Sequence, residues 1–254
     1  MYAKLKWKVQ RLLRREKKQI PVGWVRKGNG AWLPGWLIGP VIKPKDCPRR
    51  REIERIASRT NRLGPQPLWK GYPSQKSGGA TRYYSSGDVR TKPRMGNLYA
   101  HLVSLREPEV IVEFGTAFGV SGMYWLAGLE SVGQGELLTF EPNEVWAAIA
   151  RENLARISGR FTLTVGTFED NIDQCLGDSR RIDLAFIDGI HTSEFVIPQL
   201  ELVIERASPK ALIVLDDIGH SPDMADCWRT VSHDPRFAAS AALGERVGIL
   251  ELAS

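Results

Sequence analysis

The stretch from Val110 to Ser121 constrains the fold more than any other. Val110, Ile111 and Val112 form a β-branched apolar run that ends in an acid, Glu113; Gly115 and Gly119 follow before Ser121 opens a helical pattern. A short run apolar on both faces reads as a buried parallel strand, and the glycines and Ser121 read as a tight turn into a helix N-terminus. Glycine is required where the backbone takes φ > 0 or lies against a ligand with no Cβ between. The helix start offers unpaired N–H groups to an anionic group. The same pattern serves any βα turn, so alone it leaves a cofactor loop and a purely structural turn both open.

From Leu98 onward, helical and extended patterns alternate regularly. The periodicity predicts a helix over Leu98–Leu105, a strand at Val110–Glu113 and a helix over Ser121–Leu129. A strand follows at Glu136–Phe140, closing on Glu141, then a helix capped by Asn143 that reaches Ile157. Next come a strand at Phe161–Val165, a short helix from about Asp170, and a strand at Ile182–Ile187 closing on Asp188. A helix from Ser193 to Ala207 leads to a strand at Ala211–Leu215, which closes on Asp216-Asp217. Phe237–Leu243 and Arg246–Leu250, split by Gly244-Glu245, read as a hairpin. Residues 88–254 are therefore expected to form an α/β domain: a Rossmann-like, doubly wound, mostly parallel seven-stranded sheet with a C-terminal antiparallel hairpin.

The first 87 residues differ in kind. Residues 1–60 carry 17 Lys/Arg against 4 Asp/Glu, a net +13, so the net +6 of the whole chain hides a body of −7. Met1 to Ile20 reads as a basic amphipathic helix, with Leu5, Val9, Leu12 and Leu13 on one side. Three roles fit it: packing on the body or another subunit, peripheral contact with an anionic membrane, and phosphate contact with nucleic acid. No nucleic-acid fold motif accompanies the charge, which disfavours the last. Pro21 to Gly96 is rich in Pro, Gly, Trp and Tyr and is expected to be an irregular extension, with one short helix over Arg49–Arg62 and a loop or lid over Lys76–Ser86. Trp24, Trp32, Trp36, Trp69, Tyr72, Tyr83 and Tyr84 either pin this segment to the core or line a substrate platform. The apolar surface of the Trp-rich arm also allows a homo-oligomer. Cys47, Cys175 and Cys227 form neither a disulfide framework nor a zinc motif and fit a reducing cytoplasm. No apolar stretch approaches the ~20 residues of a membrane span, and no secretory signal opens the chain. The location expected is cytoplasmic, with the basic arm allowing contact with the inner face of the membrane.

Ligands of open α/β sheets bind beyond the carboxyl ends of the strands. Those ends carry Glu113, Glu141, Asp188, Asp216 and Asp217. Any one of them could cap a helix, but five converging acids need a cation among them. Glu141 is placed to bind ribose hydroxyls, as in dinucleotide and S-adenosylmethionine (SAM) sites. The third glycine of Gly-x-Gly-x-x-Gly is missing, which lowers the nicotinamide reading.

Glu113-Phe-Gly-Thr-Ala-Phe-Gly119-Val-Ser121, Thr139-Phe-Glu141, Val165-Gly166, Phe186-Ile-Asp188-Gly-Ile-His191, Leu215-Asp-Asp-Ile218 and Arg246-Val-Gly-Ile249 together resemble class I SAM-dependent methyltransferases. They most resemble the metal-dependent O-methyltransferases of the catechol/caffeoyl-CoA and macrolide-sugar kinds. The resemblance covers about residues 88–252. It implies that Glu113, Gly115, Gly119 and Ser121, with the turn Thr116, Ala117 and Phe118, hold the amino-acid end of SAM. Glu141 takes the ribose, Phe168 and Glu169 flank the adenine, and the segment ending at Thr91 closes over the methionine end. Asp188, Asp216 and Asp217 match the ligands of Mg²⁺ or Mn²⁺, with Asp188 also facing the cofactor. His191 stands where the catechol kind has a lysine base and the macrolide-sugar kind a histidine. Asp217 stands where the catechol kind has Asn, so the pair leans toward the sugar kind.

The expected activity is thus SAM- and metal-dependent methyl transfer to a hydroxyl of a sugar or other diol-bearing small molecule or glycan, with His191 as base. Rival readings are a catechol-type phenolic O-methyltransferase, a metal-independent methyltransferase on nucleic acid, and a SAM-binding protein without catalysis. His220, Met224 and Trp228 are secondary candidates for a substrate wall, against ordinary surface or core roles.

Overall fold

A computed structural model describes residues 19–72 and 81–254. The basic helix expected at the N-terminus lies outside them, apart from Gln19 and Ile20, as do residues 76–80 of the loop expected over 76–86; its remainder holds a short strand at Tyr83–Tyr84. In chain order the elements are β1 (Ile20–Lys27), α1 (Trp32–Trp36), β2 (Val41–Ile42), α2 (Arg50–Asn61), β3 (Gln66–Pro67), β4 (Tyr83–Tyr84), α3 (Ser86–Val89), α4 (Pro93–Arg106) and β5 (Val110–Phe114). There follow α5 (Val120–Val132), β6 (Glu136–Glu141), α6 (Glu144–Ala155), β7 (Phe161–Val165), α7 (Phe168–Leu176) and β8 (Ile182–Ile187). The chain closes with α8 (Ser193–Arg206), β9 (Ala207–Leu215), α9 (Pro222–Val231), β10 (Phe237–Leu243) and β11 (Val247–Leu252).

The main sheet runs β2-β1-β10-β11-β9-β8-β5-β6-β7. Its five strands from β9 to β7 are parallel, and β11, β10, β1 and β2 are added antiparallel. The Rossmann-like sheet and terminal hairpin are as expected, but the sheet has nine strands rather than seven. The extra two come from the segment expected to be irregular. β1 pairs with β10 from Val22↔Leu243 to Lys27↔Ala239, and β2 pairs with β1. Pro21 and Gly23 obscure β1 in the sequence, since both weaken a central strand and are tolerated near an edge.

Period-two alternation divides the core. Ile111 of β5 joins the layer holding Leu98 of α4, Leu126 of α5, and Ile20, Leu33 and Ile53 from the N-terminal segment. Val110, Val112 and Phe114 join the opposite layer with Ile172 of α7, Leu200 of α8 and Met224 of α9. In the first layer Trp125 stacks on Tyr99 at 4.5 Å, and Phe186 of β8 lies 4.9 Å from Tyr99. The parallel register aligns Phe114 with Phe140 and Ile187, and Ile187 with Leu215. Glu141, which ends β6, and Gly115, Asp188 and Asp216, just beyond their strands, therefore gather at one edge of the sheet.

Candidate active site

At that edge lies a cavity of about 580 Å³. Its floor is the turn after β5. Gly115 has φ +84°, and a Cβ there would stand 2.3 Å from the carbonyl oxygen of Asp188. Ala117 is also left-handed, at φ +46°, and its N–H donates to Glu141 Oε2 at 2.8 Å while Asn143 N–H donates to Oε1 at 2.9 Å. The carboxylate of Glu141 thus ties the glycine turn to the end of β6. Burial pushes its pKa up to about 7.

Of the residues singled out in the sequence, Thr91, Gly115, Thr116, Ala117, Phe118, Ser121, Glu141, Phe168, Glu169, Asp188, His191 and Asp217 line this cavity. Glu113, Gly119 and Asp216 do not. Alternation along β5 turns Glu113 away from the cavity, beneath α5, where it is fully buried and accepts from Thr139 Oγ1 at 2.7 Å. Phe168 is held in the core, 3.7 Å from Phe114 and edge-on to Phe140, and Glu169 accepts from Gln199 at 2.7 Å.

Burial likewise lifts the pKa of Glu113 to about 7. Such a group stays protonated in the fold while its unfolded counterpart ionises near pH 4.5, so native stability should fall as pH rises from about 4.5 to 7 and level off above. The contribution is on the order of 3 kcal/mol. Glu113→Gln removes the titration. In urea melts from pH 4.5 to 8, the variant should gain on the parent by that amount across the window. A constant difference would show that Glu113 does not titrate there.

The roof comes largely from the N-terminal segment, whose aromatic residues the sequence left open between a core role and a substrate platform. Leu68 packs with Phe118 and Trp146, and Tyr72, Tyr84 and Val89 pack around them. Asn143 caps α6 by accepting from Val145 and Trp146 N–H, and its own amide donates to the carbonyl of Pro67 at 2.8 Å. One side chain therefore joins the roof to the end of β6. Trp69, Tyr72 and Tyr84 line the cavity, whereas Trp24, Trp32 and Trp36 pack against the core and Tyr83 is exposed. The aromatic set divides between its two readings. Arg90 pairs with Glu54, which also accepts from Tyr124 Oη at 2.9 Å, and this fixes the segment carrying Thr91.

Met224 and Trp228 are not a substrate wall. They lie on α9, a helix missing from the sequence reading; Met224 is buried in the core and the Trp228 ring covers Gly248 of β11. His220 does line the cavity, with its ring 5.6 Å from that of His191.

The acid cluster holds a residue to which the sequence gave no role. Arg246 donates to both oxygens of Asp216, Nε to Oδ1 at 2.9 Å and Nη2 to Oδ2 at 2.7 Å, and its Nε lies 3.1 Å from Asp217 Oδ1. His191 Nε2 stands 3.6 Å from Asp188 Oδ1 and 3.5 Å from Asp217 Oδ2. Burial lowers the His191 pKa against the raising pull of Asp217 and Asp216. Burial and the charge of Asp216 raise that of Asp188. Asp188, Asp216 and Asp217 converge as expected, yet as arranged they do not fit a divalent ion, because Arg246 takes both oxygens of Asp216. Among the described residues no three His, Cys, Asp or Glu side chains are set to hold one. The signal for Arg246 was in the sequence, at the turn of the terminal hairpin, but only the antiparallel pairing of β11 with β9 brings it to Asp216.

Five parallel strands, a reversed hairpin, a glycine turn over a cavity and an acid at the end of the second parallel strand make a Rossmann-like α/β fold with its cavity at the carboxyl ends of the strands. Comparison with known proteins agrees. Residues 112–218 match the family described as Methyltransferase domain. A Mycobacterium sp. (strain KMS) protein described as "Putative O-methyltransferase" is 32% identical over 125 residues, 48% of this chain and 56% of that protein. The chain thus spans little more than half the length of the curated relative it matches. The O-methyltransferase from Bacillus cereus, solved with SAH (S-adenosylhomocysteine), superposes with a TM-score of 0.58 at 20% identity over 88% of this chain and 98% of that one. TomG from Streptomyces achromogenes, an O-methyltransferase involved in tomaymycin synthesis and solved with SAM, gives 0.56 at 19% identity over 66% and 83%. These likenesses carry the fold; none of the described helices is long and apolar enough to cross a membrane.

Proposed function

We propose that the protein is a SAM-dependent O-methyltransferase acting on a hydroxyl of a ring-bearing small molecule, a sugar or a catechol. The observation that carries this reading is a neutral-leaning His191 on the cavity wall, beside a glycine turn, Glu141 and Phe168 that together fit a nucleoside bearing an amino acid. Residues Gly115 to Ala117 and Ser121 would hold the methionine end against backbone N–H groups, Glu141 the ribose, and Phe168 with Glu169 the adenine. Bound SAM supplies a methyl group activated on a sulfonium.

The chain's own part is positioning and proton transfer. Tyr72, Tyr84 and Trp69 give a ring-shaped acceptor an apolar face and exclude water. His191 Nε2 takes the hydroxyl proton as the oxygen–methyl bond forms and the sulfur–methyl bond breaks. Asp217, at 3.5 Å, favours the imidazolium that results. Burial holds the His191 pKa below its usual value, which favours the neutral imidazole able to accept that proton. Alignment of acceptor and methyl in one cavity removes much of the barrier, as much as about 7–11 kcal/mol in well-oriented systems.

Calorimetric titration with SAM, followed by turnover on a panel of sugars and catechols, tests this. Saturable binding is expected, and His191→Ala should lower kcat by about 10²–10⁴-fold while leaving SAM affinity nearly unchanged. Absence of SAM binding would end the proposal, and an unaltered kcat would remove His191 as the base.

A further inference from the structure

The acid cluster at the strand ends is neutralised from within. Asp216 is 2% exposed, and both of its oxygens accept from the fork of one guanidinium, the bidentate geometry arginine is shaped for. That guanidinium is placed by the backbone. Gly248 pairs with Leu215, next to Asp216, so the hairpin register sets Arg246 opposite the acid pair. The N–H of Ile218 donates to the Arg246 carbonyl at 2.9 Å. Gly219 passes so close to the hairpin that a Cβ there would stand 2.6 Å from the Glu245 carbonyl oxygen. Asp217 holds a left-handed backbone, φ +53°, a conformation that aspartate tolerates better than most side chains and that turns the chain sharply beside Asp216.

A hard divalent ion needs carboxylate lone pairs at close range and gives up its water reluctantly. Here each oxygen of Asp216 already accepts from a cation that is permanently charged, weakly hydrated and covalently part of the chain, so its negative charge is neutralised where a metal would need it. A second cation would have to displace it or sit against it.

We propose that Arg246 is the resident cation of this site, standing where a divalent ion would otherwise sit, and that the protein binds its ligands and works without Mg²⁺ or Mn²⁺. Arg246 is then a positioning residue: it holds Asp216 and Asp217, and through Asp217 the setting of His191. The functional half of this statement rests on the methyltransferase reading; the ion-binding half does not.

The test is Mn²⁺ titration of the full-length protein followed by the electron paramagnetic resonance of free Mn²⁺, with and without SAH, and SAH binding measured on the same samples. The parent protein should show no saturable Mn²⁺ site up to millimolar concentration. Arg246→Ala and Arg246→Gln should each gain one site at least tenfold tighter than anything in the parent, and Asp216→Asn added to either should abolish it. A stoichiometric Mn²⁺ site in the parent, weakened by Asp216→Asn, would overturn the proposal whether or not the Arg246 variants fold. Folded Arg246 variants that bind no Mn²⁺ would overturn it too, since the arginine would not then be what excludes the ion. Loss of SAH binding in the parent would sink the methyltransferase reading and leave the Mn²⁺ result readable.

Discussion

Gly115→Ala is expected to abolish measurable SAH binding and to lower the melting temperature by roughly 6–12 °C, the shift that about 3 kcal/mol gives in a chain of this size. Two effects add. The residue sits at φ +84°, where an L side chain costs about 1–2 kcal/mol. The new Cβ would also stand 2.3 Å from the Asp188 carbonyl oxygen and 3.0 Å from the Gly189 Cα. Those atoms belong to backbone already pinned, because the Asp188 N–H donates to the Phe114 carbonyl at 3.1 Å. Relief therefore means parting β5 from β8 where the cavity floor is formed, at about 1–3 kcal/mol for overpacking. Gly133→Ala is the control. Its φ is +79° but nothing lies within 4 Å of the new Cβ, so it should show the backbone penalty alone and full SAH affinity. Equal behaviour of the two variants in calorimetry would show that the close approach at Gly115 does not shape the cavity.

A chain restricted to residues 88–254 is expected to lack a cooperative melt and to aggregate, although the sequence alone suggests that this span could stand as the catalytic domain. The deletion removes Ile20, Leu33, Leu37, Ile53 and Ile56, all buried in the layer that also holds α4 and α5. At about 1.5–3 kcal/mol for each buried aliphatic side chain, the loss exceeds about 7 kcal/mol. Total stabilities are only about 5–15 kcal/mol. It also strips β1 from β10 and exposes a strand edge able to pair with other chains. A soluble monomer of 88–254 with a sharp thermal transition would refute this, and its SAH affinity would then show how much the roof contributes.

The parts of the chain legible in sequence were those governed by local pattern. β7 and β8 fall at the expected residues, the Asn143 cap is formed, and the ends of β6, β8 and β9 deliver Glu141, Asp188, Asp216 and Asp217 to one edge. What was not legible depends on partners distant in sequence. β1 is a strand because β10 is there to pair with it. Trp69, Tyr72 and Tyr84 become cavity walls because Asn143 fastens Pro67 beside them. Glu113 illustrates a subtler gap: it follows the strand's apolar run, yet strict alternation sends it under α5 while its neighbours across the turn face the cavity. Arg246 shows the greatest distance between pattern and role, thirty residues from the aspartate it grips and joined to it only by sheet register.

The pairing of Val22 with Leu243 has a consequence for how the protein comes into being. β1 must wait for β10, which is made more than two hundred residues later. Parallel strands β5 to β9 can assemble around their helices in the order they are made, but the first core layer stays unfinished until β10 arrives. Closure across more than two hundred residues raises contact order and slows the final step. During that interval the nascent chain presents an open sheet edge together with an apolar layer still missing its N-terminal part. Chaperone demand should therefore be concentrated late in synthesis, and a pause just upstream of β10 would prolong it.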